Sequence, residues 1–142
     1  MKCRALELRE AFLALSEWLA ASKPSRDEQG RHVAPAVPPL PVKLGLHLAL
    51  CRNSLKVVME SLDERIEEVN EKYRSLLQAQ GSTALTPDQQ REWNKEIREL
   101  LSATVEWQPP ATIRLDQLGD RAVPEEWLAA LVVVGVIERG QS

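Results

Sequence analysis

Leu44, Leu48, Cys51, Leu55, Val58, Leu62, Ile66, Val69, Tyr73 and Leu76 follow one another at steps of four and three, the period of one face of an α-helix. The pattern predicts a single helix over residues 41–80, about 57 Å long at 1.5 Å per residue, along which the other segments must pack. Leu44, Leu46, Leu48 and Leu50 also alternate at period two, as a strand would. The seam continues to Leu76 without a turn signal, which decides for helix. The consequence is a helix apolar on most sides from Val42 to Leu50, so burial of that end against several neighbours is expected. Pro41 fits the first helical position, where a missing N–H costs nothing.

Before this helix, Ala5, Leu8, Phe12, Leu15 and Leu19 are spaced by three and four, which predicts an amphipathic N-terminal helix from about Arg4 to Ala21 with Trp18 beside its buried stripe. Ser22 to Leu40 carries Pro24, Pro35, Pro38, Pro39, Gly30 and the charged cluster Arg26, Asp27 and Glu28. That composition sustains neither a helix nor a central strand and predicts a loop, mobile around Asp27 to His32. Gly81-Ser82 ends the long helix, and Thr86-Pro87-Asp88-Gln89 reads as a capping box opening a third helix over 87–102. So short a connection folds the third helix back antiparallel on the second. Counting outward from the turn places Trp93 near Tyr73, Ile97 near Val69, and Leu100 or Leu101 near Ile66 and Leu62. The proximal half of the long helix is left to the first helix and the C-terminal segment.

Over 104–138 the period changes. Val105 and Trp107 alternate with polar neighbours, Pro109-Pro110 interrupts, and Thr112 to Leu115 is β-prone, which predicts short extended segments. Asp116 to Gly119 reads as a turn, and Pro124-Glu125-Glu126 opens a C-terminal helix with carboxylates at the positive end of its dipole. Val132 to Ile137, with Gly135 inside, is readable as helix or strand. The whole is a mainly α single domain: a long central helix with an antiparallel helical hairpin and a minor extended segment near the C-terminus.

Composition changes this picture in few places. With 142 residues the chain suffices for one core. Its net charge of −3 argues against a main task of holding nucleic-acid phosphates. Two cysteines far apart fit a reducing cytosol better than a disulfide scaffold. Glu7, Arg9, Glu10 and Glu17 break the first segment, so it is neither a signal core nor a membrane span. Arg in excess of Lys, abundant Glu and Pro, and few Asn, Cys and Met lean towards a thermophilic host, although a GC-rich genome biases composition the same way.

The chemistry of the side chains points away from catalysis. His47 and Cys51 lie one helical turn apart, with His32 and Cys3 elsewhere, whereas a four-coordinate zinc site brings two close pairs. Cys51 also belongs to the apolar seam, so no metal is expected. No Ser, Cys or Thr can be matched with a base and an orienting group, and no glycine-rich phosphate cradle is present. The expectation is a non-enzyme without cofactor or small-molecule substrate. One charge feature stands out: Glu60, Glu64, Glu67 and Glu71, at steps of four, three and four, form an acidic stripe opposite the seam, while the proximal half carries Lys43, Arg52 and Lys56 and no acid. Such a stripe is either a solvated face or a surface for a basic partner. Trp107 and Arg114, near the prolines, are the residue types that anchor interfaces and complete the candidate partner-binding set.

Leu40-Pro41-Val42-Lys43 opening the long helix, Glu71-Lys72-Tyr73 near its end, Glu92 with Glu96 to Leu101, Val105-Glu106-Trp107, Ile113 to Leu118 and Pro124 to Leu128 together resemble a widespread group of small tailed-phage proteins. The likeness spans roughly residues 40–137. Val123 departs from the serine those proteins tend to place before the proline. Size and composition are also similar to a Thermus-phage inhibitor that binds host RNA polymerase at its β flap beside the sigma factor. The resemblance implies a protein of the host cytoplasm that inhibits host transcription by occupying a surface. The alternative it leaves open is a virion or assembly accessory acting through helix packing.

Overall fold

Helix α2, Val42–Gln80, runs unbroken for 39 residues, because its sequence is rich in Leu, Glu, Lys and Arg, contains no proline, and has Gly45 as its sole glycine. The computed structural model describes residues 2–35, 37–119 and 122–138. Pro41 is extended (φ −55°, ψ 149°) and caps the helix from outside, so the first helical position falls one residue later than predicted. At the other end Gly81 takes the left-handed conformation (φ 64°), and the N–H groups of Gly81 and Ser82 donate to Gln78 O and Leu77 O. These bonds satisfy carbonyls that the helix end leaves without partners.

The seam is buried where other elements reach it. Leu44, Leu48, Cys51, Leu55, Met59 and Leu62 are buried, while Val58, Ile66, Val69 and Leu76 are half-buried. Helix α1, Ala5–Ala21, packs on the proximal half of α2, and Ala5, Ala11 and Ala14 bring small buried surfaces to its packed sides. Arg52 of α2 fastens the pair: its Nε donates to Ser16 Oγ at 3.0 Å, and its guanidinium lies 5.3 Å over the Phe12 ring. Trp18 is fully buried rather than beside the stripe and stacks at 6.4 Å on Trp127 of helix α4, Glu125–Val133. The C-terminal helix therefore docks mainly on α1, not on the long helix. Carbonyl and ring contacts from residues 107–111 reach α2 in its place.

Three two-stranded ribbons complete the described residues. Strand β1, Lys2–Arg4, pairs antiparallel with β4, Thr104–Glu106, setting Cys3 opposite Val105. The predicted loop contains a hairpin, β2 (Ser25–Arg26) and β3 (His32–Val33). Asp27 closes its turn by accepting at Oδ1 from the N–H groups of Gln29 and Arg31 at 3.0 and 2.8 Å. Strands β5, Ile113–Arg114, and β6, Ile137–Glu138, pair in parallel, with a 3₁₀ turn at Leu115–Leu118 and α4 between them. Val132 to Ile137 thus divides: helix to Val133, a turn through Gly135 (φ 83°), then strand.

Helix α3, Pro87–Ser102, opens on the predicted box, with Thr86 Oγ1 accepting from Gln89 N at 3.2 Å and Gln89 Oε1 accepting from Thr86 N at 3.1 Å. Tyr73 and Trp93 stack at 6.0 Å, as the antiparallel hairpin requires. No residue of α3 is fully buried, and beyond Leu62 only Tyr73 of α2 is. The distal hairpin is therefore a two-helix arm extending from the core. Among the described residues no helix is long and apolar enough to cross a membrane.

Candidate protein-binding surface

At 100° per residue, Val42, Leu46, Asn53, Val57, Glu60, Glu64, Glu67 and Glu71 lie within roughly 40° of one line along α2, opposite the buried seam. This outward ridge has two halves. The distal half is the acidic stripe, and all four glutamates are exposed. Arg74 donates to both Glu67 and Glu71, at 2.7 Å to Glu71 Oε2, and Arg65 donates to the flanking Glu68 at 3.2 Å. Glu60 and Glu64 have no cationic partner among the described residues. A shallow depression of about 380 Å³ lined by Glu64, Glu67, Glu68 and Glu71 follows the stripe. Arg74 offsets part of its charge, so the uncompensated potential is greatest at Glu60 and Glu64.

The proximal half of the ridge, with Leu50 at its edge, is exposed and, Asn53 apart, apolar. Val42 is 90%, Leu46 55%, Leu50 43% and Val57 65% accessible. This overturns the expectation that Val42 to Leu50 is buried on several sides. After the hairpin, Val37 tucks into the core beside α1 and Leu40 reaches only the Gly45 side of α2, while α4 is engaged by α1. The sequence carries the signal as a second series at steps of four, Val42, Leu46 and Leu50, offset from the seam. A groove of about 620 Å³ runs beside this half, between Leu19 of α1 and Pro39, Leu40, Val42, Ala49 and Arg52.

The remaining predicted positions separate. Trp107, expected as an exposed anchor, is only 6% accessible: its ring joins the core and its Nε1 donates to Ser54 Oγ at 3.0 Å. The prolines that follow turn the chain along α2 rather than away from it, which is why the indole faces inward. Arg114 is exposed, as expected, but on β5, with its guanidinium 3.6 Å from Asp116. Cys51 Sγ donates to Ala111 O at 3.2 Å, and burial pushes its thiol up from the ordinary value. The same burial raises Cys3. Among the described residues no three His, Cys, Asp or Glu side chains gather in an arrangement that could hold a metal ion.

The arm carries the densest polar cluster. Trp93 Nε1 donates to Asn70 Oδ1 at 3.0 Å, Lys72 Nζ donates to Glu96 Oε1 at 2.9 Å, and the Lys72 ammonium lies 5.3 Å from the Tyr73 ring centre. The Tyr73 hydroxyl and then Lys72 hold the Glu96 carboxyl below its ordinary value. Hydrogen bonding to Glu96, with desolvation and the charges of Glu96 and Glu92, pushes Tyr73 up to about 12. These contacts set the register of α2 against α3 and keep the acidic half of the ridge on a straight support.

The chain matches no protein-family model, no curated protein and no solved structure.

Proposed function

We propose that this chain is a non-enzymatic, phage-encoded protein that binds host RNA polymerase at the flap and sigma region and inhibits host transcription. The observation that carries the reading is the acidic half of the α2 ridge, exposed along three helical turns with Glu60 and Glu64 uncompensated. Surfaces that hold promoter phosphates are basic, so a rigid line of carboxylates is complementary to them. The resemblance to small tailed-phage proteins supplies the choice of partner. Arg114 lies outside the ridge and Trp107 lies within the core, so the ridge alone carries the proposed encounter.

Charge along an exposed helix acts mainly on association. Glu60→Lys with Glu64→Lys should slow association with polymerase holoenzyme by about tenfold at low salt, the scale typical of electrostatic steering, and by less at physiological ionic strength. Glu67→Lys with Glu71→Lys should do less, because Arg74 already offsets those two. Stopped-flow or biosensor kinetics at two salt concentrations read both effects. A folded Glu60→Lys, Glu64→Lys protein with an unchanged association rate at low salt would reduce the stripe to a solvated face.

A further inference from the structure

Arg52 serves the packing of α1 on α2 through only part of its head group. Its Nε donates to Ser16 Oγ at 3.0 Å and its guanidinium lies 5.3 Å over the Phe12 ring, so two neighbours fix where it sits. A guanidinium carries further N–H donors on its η nitrogens, and here these meet no acceptor among the described residues. Arg52 is half-buried and lines the groove of about 620 Å³ beside α2. Lys23 is the other charged residue of the lining, and no carboxylate is found there among the described residues. A half-buried cation without a counter-charge is costly to keep. It is also the kind of polar fixture by which an apolar pocket orients a ligand.

The remainder of the groove is apolar and unfilled. Gly45, Ala49 and Arg52 follow at steps of four and three, on one face of α2, with Leu19 of α1 across the groove and Leu40 beside Gly45. Gly45 has no left-handed φ, and a Cβ there would meet Leu40 Cβ at 3.8 Å, an ordinary contact. Neither backbone nor packing calls for glycine at this position, and glycine weakens a helix relative to alanine. What its missing side chain does is leave the groove floor open. From Gly45 to Arg52 the floor runs about 10 Å at 1.5 Å per residue.

The geometry points to a site for an unbranched aliphatic monocarboxylate, its head on Arg52 and its tail over Ala49 and Gly45 between Leu19 and Leu40. A carboxylate accepts two parallel N–H bonds from a guanidinium held in place, and one guanidinium balances one negative charge. The walls favour an alkyl tail over a peptide. From Gly45 onward the α2 backbone is spent within the helix, Gly45 N donating to Pro41 O. The carbonyls of Trp18, Leu19, Ala20 and Ala21 that end α1 already accept from Ser22 N, Ser22 Oγ, Lys23 N and Val37 N. An extended peptide along this floor would lose water from its own N–H and C=O groups without gaining partners. A chain of CH₂ groups has none to satisfy and gains by leaving water.

The inference does not rest on the polymerase reading, and its test uses the full chain. Octanoate titrated into the protein in a calorimeter should bind one to one with a dissociation constant below about 1 mM. Octan-1-ol keeps the tail without the charge and acetate keeps the charge without the tail; each should bind at least about tenfold more weakly. Arg52→Gln should weaken octanoate binding about thirtyfold, the scale of a charge-assisted hydrogen-bonded pair. Because Arg52 also braces α1, a second variant leaves that contact alone. Gly45→Leu fills the floor at a position where leucine favours helix, and should abolish binding with the circular dichroism spectrum unchanged. Leu46→Gln, exposed on the ridge and outside the groove lining, should leave the affinity as it is. A chain that shows no saturable octanoate binding up to about 1 mM would overturn the proposal. So would binding indifferent to Gly45→Leu, binding lost in Leu46→Gln, or octan-1-ol held as tightly as octanoate.

Discussion

Tyr73 is 3% accessible and shares the Glu96 carboxylate with Lys72, so two groups of opposite proton preference meet at one point of the arm. Tyr73, raised from 10.0 to about 12, contributes stability that is fully present below pH 10 and is lost as pH rises through about 12. Glu96, lowered from 4.5, contributes stability present above pH 4.5 and lost as pH falls through its folded value. Replacing Tyr73 with Phe should remove the alkaline limb. The difference in melting temperature between wild type and Tyr73→Phe is therefore expected to shrink between pH 10 and 12 in a thermal-melt series. A difference that stays constant across that range would mean the hydroxyl does not report on Glu96.

At the scale of elements, α2 belongs to two environments. From Leu44 to Ile66 it is part of a core shared with α1 and the C-terminal segments; beyond Ile66 its neighbours among the described residues are α3 and Leu85 of the connecting turn, over a face whose one buried residue is Tyr73. Local opening follows such differences in buried apolar contact. Amides of 70–80 and 87–96 should exchange with solvent sooner than those of 44–62. Thr86→Ala removes the side-chain half of the capping box and should cost about 1 kcal/mol. Hydrogen-exchange mass spectrometry is expected to show that loss as faster exchange in the arm with the core unchanged. Uniform acceleration through α1 as well would show that the arm and core open as one unit.

For the molecule as a whole, tryptophans from opposite ends of the chain close the core. Trp18, fully buried on α1, stacks on Trp127 of α4, whose Nε1 donates to Glu17 Oε2 at 2.9 Å. Trp107 ties the segment after β4 to Ser54 in the proximal third of α2. Truncating Trp107 to Ala should therefore act on folding, lowering the unfolding free energy by about 3–5 kcal/mol and leaving the Ser54 hydroxyl without its donor. Urea unfolding followed by circular dichroism measures it. A loss below about 1 kcal/mol, the scale of a surface change, would return Trp107 to the surface role first expected of it.

The features legible in the chain alone are those that neighbouring residues encode. The seam from Leu44 to Leu76 specified one long helix, Gly81 its end, and Thr86 with Gln89 the start of α3, because periodicity and capping are satisfied within a few residues of chain. The stacking of Trp93 on Tyr73 was also legible, since a six-residue turn leaves two helices few registers. Which apolar faces are covered depends instead on how distant segments come together. Val42, Leu46, Leu50 and Val57 are as apolar as Leu44 and Leu48, yet α1 meets one face and nothing in the described chain meets the other. The pairing of β1 with β4 and the inward turn of Trp107 were illegible for the same reason. Burial is a relation between segments far apart in the chain, and it depends on which of several competing apolar surfaces each segment reaches; the hydrophobic effect itself has no direction with which to choose among them.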